Sequence, residues 1–117
     1  MARLESPEDV FEALQAFSPA AALGAALELG LPWLLESGPL DDAGIAAALG
    51  IPPSRCRWWL RVLVRLGLLV RVPGGYSPSA GARRAILDTY RRESWAFLAR
   101  EERERLPTVI DLAARLT

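Results

Sequence analysis

The sequence predicts a mainly α-helical fold, a winged helix-turn-helix with a small two-stranded wing and extra helices at both ends. Three observations carry that expectation. Apolar residues recur at helical spacing through most of the chain. The stretch DAGIAAALG, closed by Gly50, has the composition of a short helix with a glycine stop. The residues that follow, IPPSRCRWWLRVLVRLGLLVRVPGGYSP, read as a turn, a second helix and a tight hairpin.

Each element has its own local signal. Ser6-Pro7 followed by Glu8 and Asp9 marks a helix start, with an N-cap, a proline at the first position and acids near the positive end. Val10, Phe11, Leu14 and Phe17 then give that helix one apolar side. Ser18-Pro19 repeats the start signal for a second helix running to about Gly30, apolar and small-residue-rich from Ala20 to Leu27. Small side chains let helices approach closely, which places this helix in the middle of the bundle. Leu31 to Glu36 is a further short turn. Asp41 or Asp42 caps the third helix and Ser54 the fourth, which runs to about Leu66 with Gly67 at its end. LLVRV, PGG and YSP form the wing. Ser79 opens a short helix to Leu87, a long helix spans Asp88 to Leu106, and Pro107 separates it from a last helical piece over Thr108 to Leu116.

A chain of 117 residues, 51% hydrophobic, is one domain's worth and can bury a core. The core winged helix is expected over about 18–87, flanked by helices at about 6–17 and 88–117. Cys56 is the single cysteine, so no internal disulfide or zinc cluster is expected. The acidic N-terminus is unlike a signal peptide, and Pro19 to Leu35 is interrupted by Glu28, Gly30 and Pro32. A soluble, cytoplasmic protein with no membrane contact is the expectation. The sequence has no histidine, GxGxxG, P-loop or GxSxG, which removes the usual general base and the usual nucleotide cradles. No catalytic residue, cofactor-binding residue or metal ligand is therefore assigned.

Charge is polarised although it sums to zero. Residues 1–49 carry a net −7, residues 50–92 a net +8 and residues 93–117 a net −1, with every basic residue an arginine. At about 100° per residue, Cys56, Trp59, Leu60, Val62, Leu63 and Leu66 share one arc of the fourth helix. Arg57, Arg61 and Arg65 line the opposite side, flanked by Trp58. One reading of that row is DNA binding, with Arg57, Arg61, Arg65 and the wing's Arg71 on phosphates or guanine edges. The other is a solvated or protein-facing row whose stems pack on apolar surface. Trp58 and Val64 are poor readers of base edges, which favours the second.

The order of short motifs resembles the N-terminal dimerisation domain of S-adenosylmethionine-dependent small-molecule O-methyltransferases. The matching pieces are Ala26-Leu27-Glu28-Leu29-Gly30-Leu31, Gly38-Pro39-Leu40, Ile45-Ala46-Ala47-Ala48-Leu49-Gly50, Leu60-Arg61-Val62-Leu63, Gly67-Leu68-Leu69 and Tyr76-Ser77-Pro78-Ser79-Ala80-Gly81. The likeness as a whole covers about residues 15–90. The resemblance implies a non-catalytic homodimerisation and lid domain of natural-product type. S-adenosylmethionine would sit in a separate catalytic domain that this sequence does not contain. A fragment, a split subunit and a free-standing homologue are all compatible with it. The alternatives are a winged-helix transcriptional regulator and a stand-alone binder of an aromatic metabolite.

Dimerisation also has a case in the residues themselves. Phe11, Leu14 and Phe17 at one end, and Leu98, Leu106, Val109, Ile110, Leu112 and Leu116 at the other, exceed what one small core can cover. A second copy in two-fold pairing is the expected cover. Trp95 and Phe97 are the candidate aromatic-ligand contacts. The alternating Glu and Arg of REERERL read as a solvated, salt-bridged helix face rather than an acid/base pair.

Overall fold

A computed structural model describes residues 3–117; for Phe17, Thr108 and Val109 only the backbone is described. The interface expectations for Phe17 and Val109 therefore lie outside the described side chains. Eight α-helices and one hairpin follow in order: α1 Pro7–Leu14, α2 Phe17–Leu29, α3 Leu31–Leu34, α4 Asp42–Leu49, α5 Pro53–Leu66, β1 Leu69–Val72, β2 Gly75–Pro78, α6 Ala80–Ala82, α7 Arg92–Ile110 and α8 Leu112–Leu116. A 3-10 turn at Leu35–Ser37 extends α3, and a π-type turn at Arg83–Leu87 extends α6.

The helix-turn-helix is α4 and α5. Asp41 caps α4 by accepting from the Gly44 amide at 2.8 Å, and Gly50 ends it in the left-handed conformation. Helix α5 has no side-chain cap: Pro52 and Pro53 start it through their preset φ, so Ser54 lies inside the first turn. The hairpin pairs Leu69 with Pro78 and Arg71 with Tyr76 in antiparallel register. Tyr76 also bonds across to Leu40, amide to carbonyl at 2.9 Å, which ties the wing to the segment before α4.

The core gathers around α5. Leu27 of α2, Leu31, Leu35, Ile45, Cys56, Trp59, Leu60, Leu63, Leu69 and Ile86 are all buried there. Leu66, expected on the buried arc, is instead exposed, because the chain turns into the wing at Gly67 before anything covers it.

Two further boundaries differ from the sequence reading. Helix α2 begins at Phe17 rather than at a Ser18 cap, because Gln15 and Ala16 keep nearly helical dihedrals. Pro19 is tolerated because the first four amides of a helix have no acceptor within it. Helix α7 begins at Arg92, not Asp88: the Thr89 hydroxyl donates to the Ala85 and Ile86 carbonyls and closes the preceding turn. It then runs through Pro107, whose missing N–H frees the carbonyl of exposed Arg103.

By length and mean hydropathy, Pro7–Leu29 resembles a membrane span. The two-residue break between α1 and α2, and the burial of Ala22, Ala26 and Leu27 in the core, make α2 a core helix.

Candidate dimerisation surface

Helix α1 is held by its own cap and by little else. The Ser6 hydroxyl accepts from the Asp9 amide at 3.3 Å, while the Asp9 carboxylate accepts from the Ser6 and Glu5 amides at 3.1 and 3.0 Å. Those bonds, the Glu5 amide first, hold the Asp9 carboxyl below its ordinary value. None of α1's residues is buried, and Phe11 and Leu14 are 64% and 68% exposed.

At the other end, Ile110, Leu112 and Leu116 are also exposed, and α8 buries nothing. Leu98 is partly bare and Leu106 half-buried. Both line a groove of about 520 Å³ between α2 and α7. Its α2 side is Ala20, Ala21, Leu23, Gly24 and Ala25; its α7 side is Trp95, Leu98, Ala99 and Leu106. Polar groups stand at its rim, where Arg103 makes a two-pronged ion pair with Glu28, both contacts at 3.1 Å. That carboxylate raises the Arg103 guanidinium above its ordinary value. Arg105 pairs with Glu102 at 3.2 Å.

Trp95 is fixed from two sides. Its indole N–H donates to the Ile86 carbonyl at 3.2 Å, and Tyr90 lies against the ring at 5.3 Å. Phe97 sits about 200° further round α7 and is exposed, so the two candidate ligand aromatics do not converge. Arg57, Arg61, Arg65 and Arg71 are all exposed, and none forms an ion pair among the described residues. No cluster of His, Cys, Asp or Glu suited to a metal occurs among the described residues.

The sequence reading did not anticipate the groove's α2 wall. The signal was present: Phe17 to Leu27 contains no charged residue on any side, and a helix apolar all round needs cover on more than one face. Only the side carrying Ala22 and Ala26 is fully covered within this chain.

A winged helix flanked by apolar helices with bare faces, with an open groove between α2 and α7, defines a helical assembly module. The chain belongs to the O-methyltransferase dimerisation domain family, whose profile matches residues 11–87. It is 37% identical over 67 residues to mitomycin biosynthesis 6-O-methyltransferase of Streptomyces lavendulae, covering 57% of this chain and 19% of that one. Among solved structures, PigF with SAH matches at 33% identity and a TM-score of 0.62, over 68% of this chain and 24% of that one. The SAH-bound form of CalO1, a methyltransferase in calicheamicin biosynthesis, matches at 32% identity and 0.59, over 70% and 25%. The chain thus spans a quarter or less of the length of these relatives. It is a dimerisation domain of the kind carried by S-adenosylmethionine-dependent O-methyltransferases of natural-product biosynthesis.

Proposed function

We propose that this chain acts as the dimerisation and lid module of a small-molecule O-methyltransferase, pairing two copies and contributing no catalytic group. It works with a catalytic domain, on the same polypeptide or on a separate one, that binds S-adenosylmethionine. As such a module the chain is soluble and cytoplasmic. The observation that carries the reading is the pair of bare apolar ends, Phe11 and Leu14 on α1 and Ile110, Leu112 and Leu116 at the C-terminus, on a domain of this family. Surfaces of that kind are usually covered by another chain. Sedimentation velocity at micromolar concentration tests it: a dimer is expected, and a clean monomer overturns the reading.

The uncompensated row of Arg57, Arg61 and Arg65 favours a second reading, a DNA-binding regulator in which α5 enters the major groove. Duplex binding that weakens steeply with salt and is lost in the Arg61→Glu, Arg65→Glu double variant would establish it. The first reading predicts weak polyanion attraction alone.

A further inference from the structure

We propose that the outer face of α5 docks an acidic helix of a separate protein. Trp58 and the recess beside it take an apolar side chain of that helix, while Arg55, Arg61 and Arg65 take its carboxylates. The site uses none of the residues on which the dimerisation reading rests.

Three observations point to such a partner. First, the positive charge on this face is uncompensated. Residues 50–92 hold nine arginines and one acid, Asp88. On α7, Arg103 and Arg105 have found carboxylates, whereas Arg55, Arg61 and Arg65 are exposed and form no ion pair among the described residues. Second, Trp58 stands in their midst, three residues after Arg55, three before Arg61 and seven before Arg65. At about 100° per residue all four share an arc of about 120°. An exposed tryptophan ringed by arginines has the composition of an interface hot spot. Third, its ring borders a recess of about 490 Å³ between α2 and α5, lined by Ala25, Leu29 and Ile51, with Arg55 as its charged member.

An apolar recess beside cations suits a protein better than a duplex. DNA presents phosphates and base edges, with the thymine methyl as its apolar group, so the recess would stay unfilled. A leucine or phenylalanine fills it and withdraws exposed Leu29 and Trp58 from water. The spacing suits a helix. Arg55 to Arg65 covers about 15 Å of α5. Carboxylates three or four residues apart on an incoming helix repeat at about 5–6 Å, the same step as Arg61 to Arg65.

The probe is a synthetic helical peptide of about sixteen residues, with glutamates along one face and a leucine at its centre, followed by fluorescence anisotropy. Binding is expected, weakened about tenfold by Trp58→Ala and at least as much by Arg61→Glu combined with Arg65→Glu. The double variant should instead bind a peptide whose glutamates are replaced by lysines. Replacing the peptide's leucine by serine should cost the wild type as much as Trp58→Ala does. All three side chains are exposed, so circular dichroism should not change. No binding, or binding indifferent to Trp58→Ala, overturns the proposal. So does salt-sensitive binding of a DNA duplex in place of the peptide, which gives the face to nucleic acid. Sedimentation of the double variant should match the wild type; weaker pairing would give the face to a second copy and overturn the proposal. A wild-type monomer that still binds the peptide upholds the docking site and sinks the dimerisation reading alone.

Discussion

The indole N–H of Trp59 donates to the carbonyl of Ala22 at 3.0 Å, joining α5 to α2 in the middle of the core. This bond fixes the floor on which the α2–α7 groove stands, because Ala22 adjoins Leu23 and lies about one turn from Ala25 at the groove's edge. The neighbouring Trp58 is 56% exposed and makes no such bond. Trp59→Phe should cost about 1 kcal/mol, since the ring stays but the donor goes, and the Ala22 carbonyl keeps its helical partner. Trp59→Ala should cost about 3–5 kcal/mol through the cavity left behind. Trp58→Ala should stay within about 0.5 kcal/mol. Urea denaturation of the three variants checks the order; equal losses at 58 and 59 would contradict it.

The wing depends on one glycine more than on its neighbour. Gly74 and Gly75 both have positive φ, at +93° and +139°. A Cβ on Gly74 would reach only ordinary contact with Pro39, whereas one on Gly75 would run into the Leu40 backbone, where Tyr76 makes its cross-bridge. Gly74→Ala should therefore cost about 1–2 kcal/mol of backbone strain. Gly75→Ala should cost more and release the Leu40–Tyr76 pairing, read as loss of amide protection at Tyr76. Equal destabilisation with Tyr76 still protected would count against this account.

The winged-helix order was legible because its signals are local. Asp41, Gly50, Gly67 and Ser79 each act within four residues, and each stands where its type requires. The missed boundaries had competing signals. Ser18-Pro19 and Ser54 look like caps in isolation, but the residues before them already hold helical or proline-set dihedrals. Pro107 was expected to break α7, yet the loss of one bond on an exposed face does not end a helix that packs along α2. The groove was hardest to foresee, because it joins Gly24 to Leu98 and Leu106 from segments more than 70 residues apart. No periodicity within either helix reveals that pairing.

Cys56 is buried beneath α4, with its Sγ 3.8 Å from the Asp42 carbonyl. Burial pushes its thiol above the ordinary value of 9.0, and the Asp42 carboxylate adds to the shift. The folded state thus favours the protonated thiol. That stabilisation is complete below 9.0 and disappears as pH rises through the higher folded value. At neutral pH a thiol reagent should label Cys56 only as fast as the chain opens, with full reactivity in denaturant. Rapid labelling of the native protein would show the site to be open.

Asp9, near the start of the chain, gives the opposite sign. Its carboxylate accepts the Glu5 and Ser6 amides, so its folded pKa lies below the ordinary 3.8. The stabilisation it lends α1 is present above 3.8 and is lost as pH falls through the lower folded value. Acid should therefore loosen the start of α1 through Asp9. NMR titration is expected to place the Asp9 midpoint below 3.8, with the Glu5 and Ser6 amide resonances moving at the same pH. In Asp9→Asn those two amides should cease to titrate together. Because the apolar face of α1 belongs to the proposed dimer surface, wild-type dimers should also weaken over the same acid window, by more than the Asp9→Asn variant does. An Asp9 midpoint at or above 3.8, with both amides unmoved, would mean that the capping box does not hold α1 in shape for its partner.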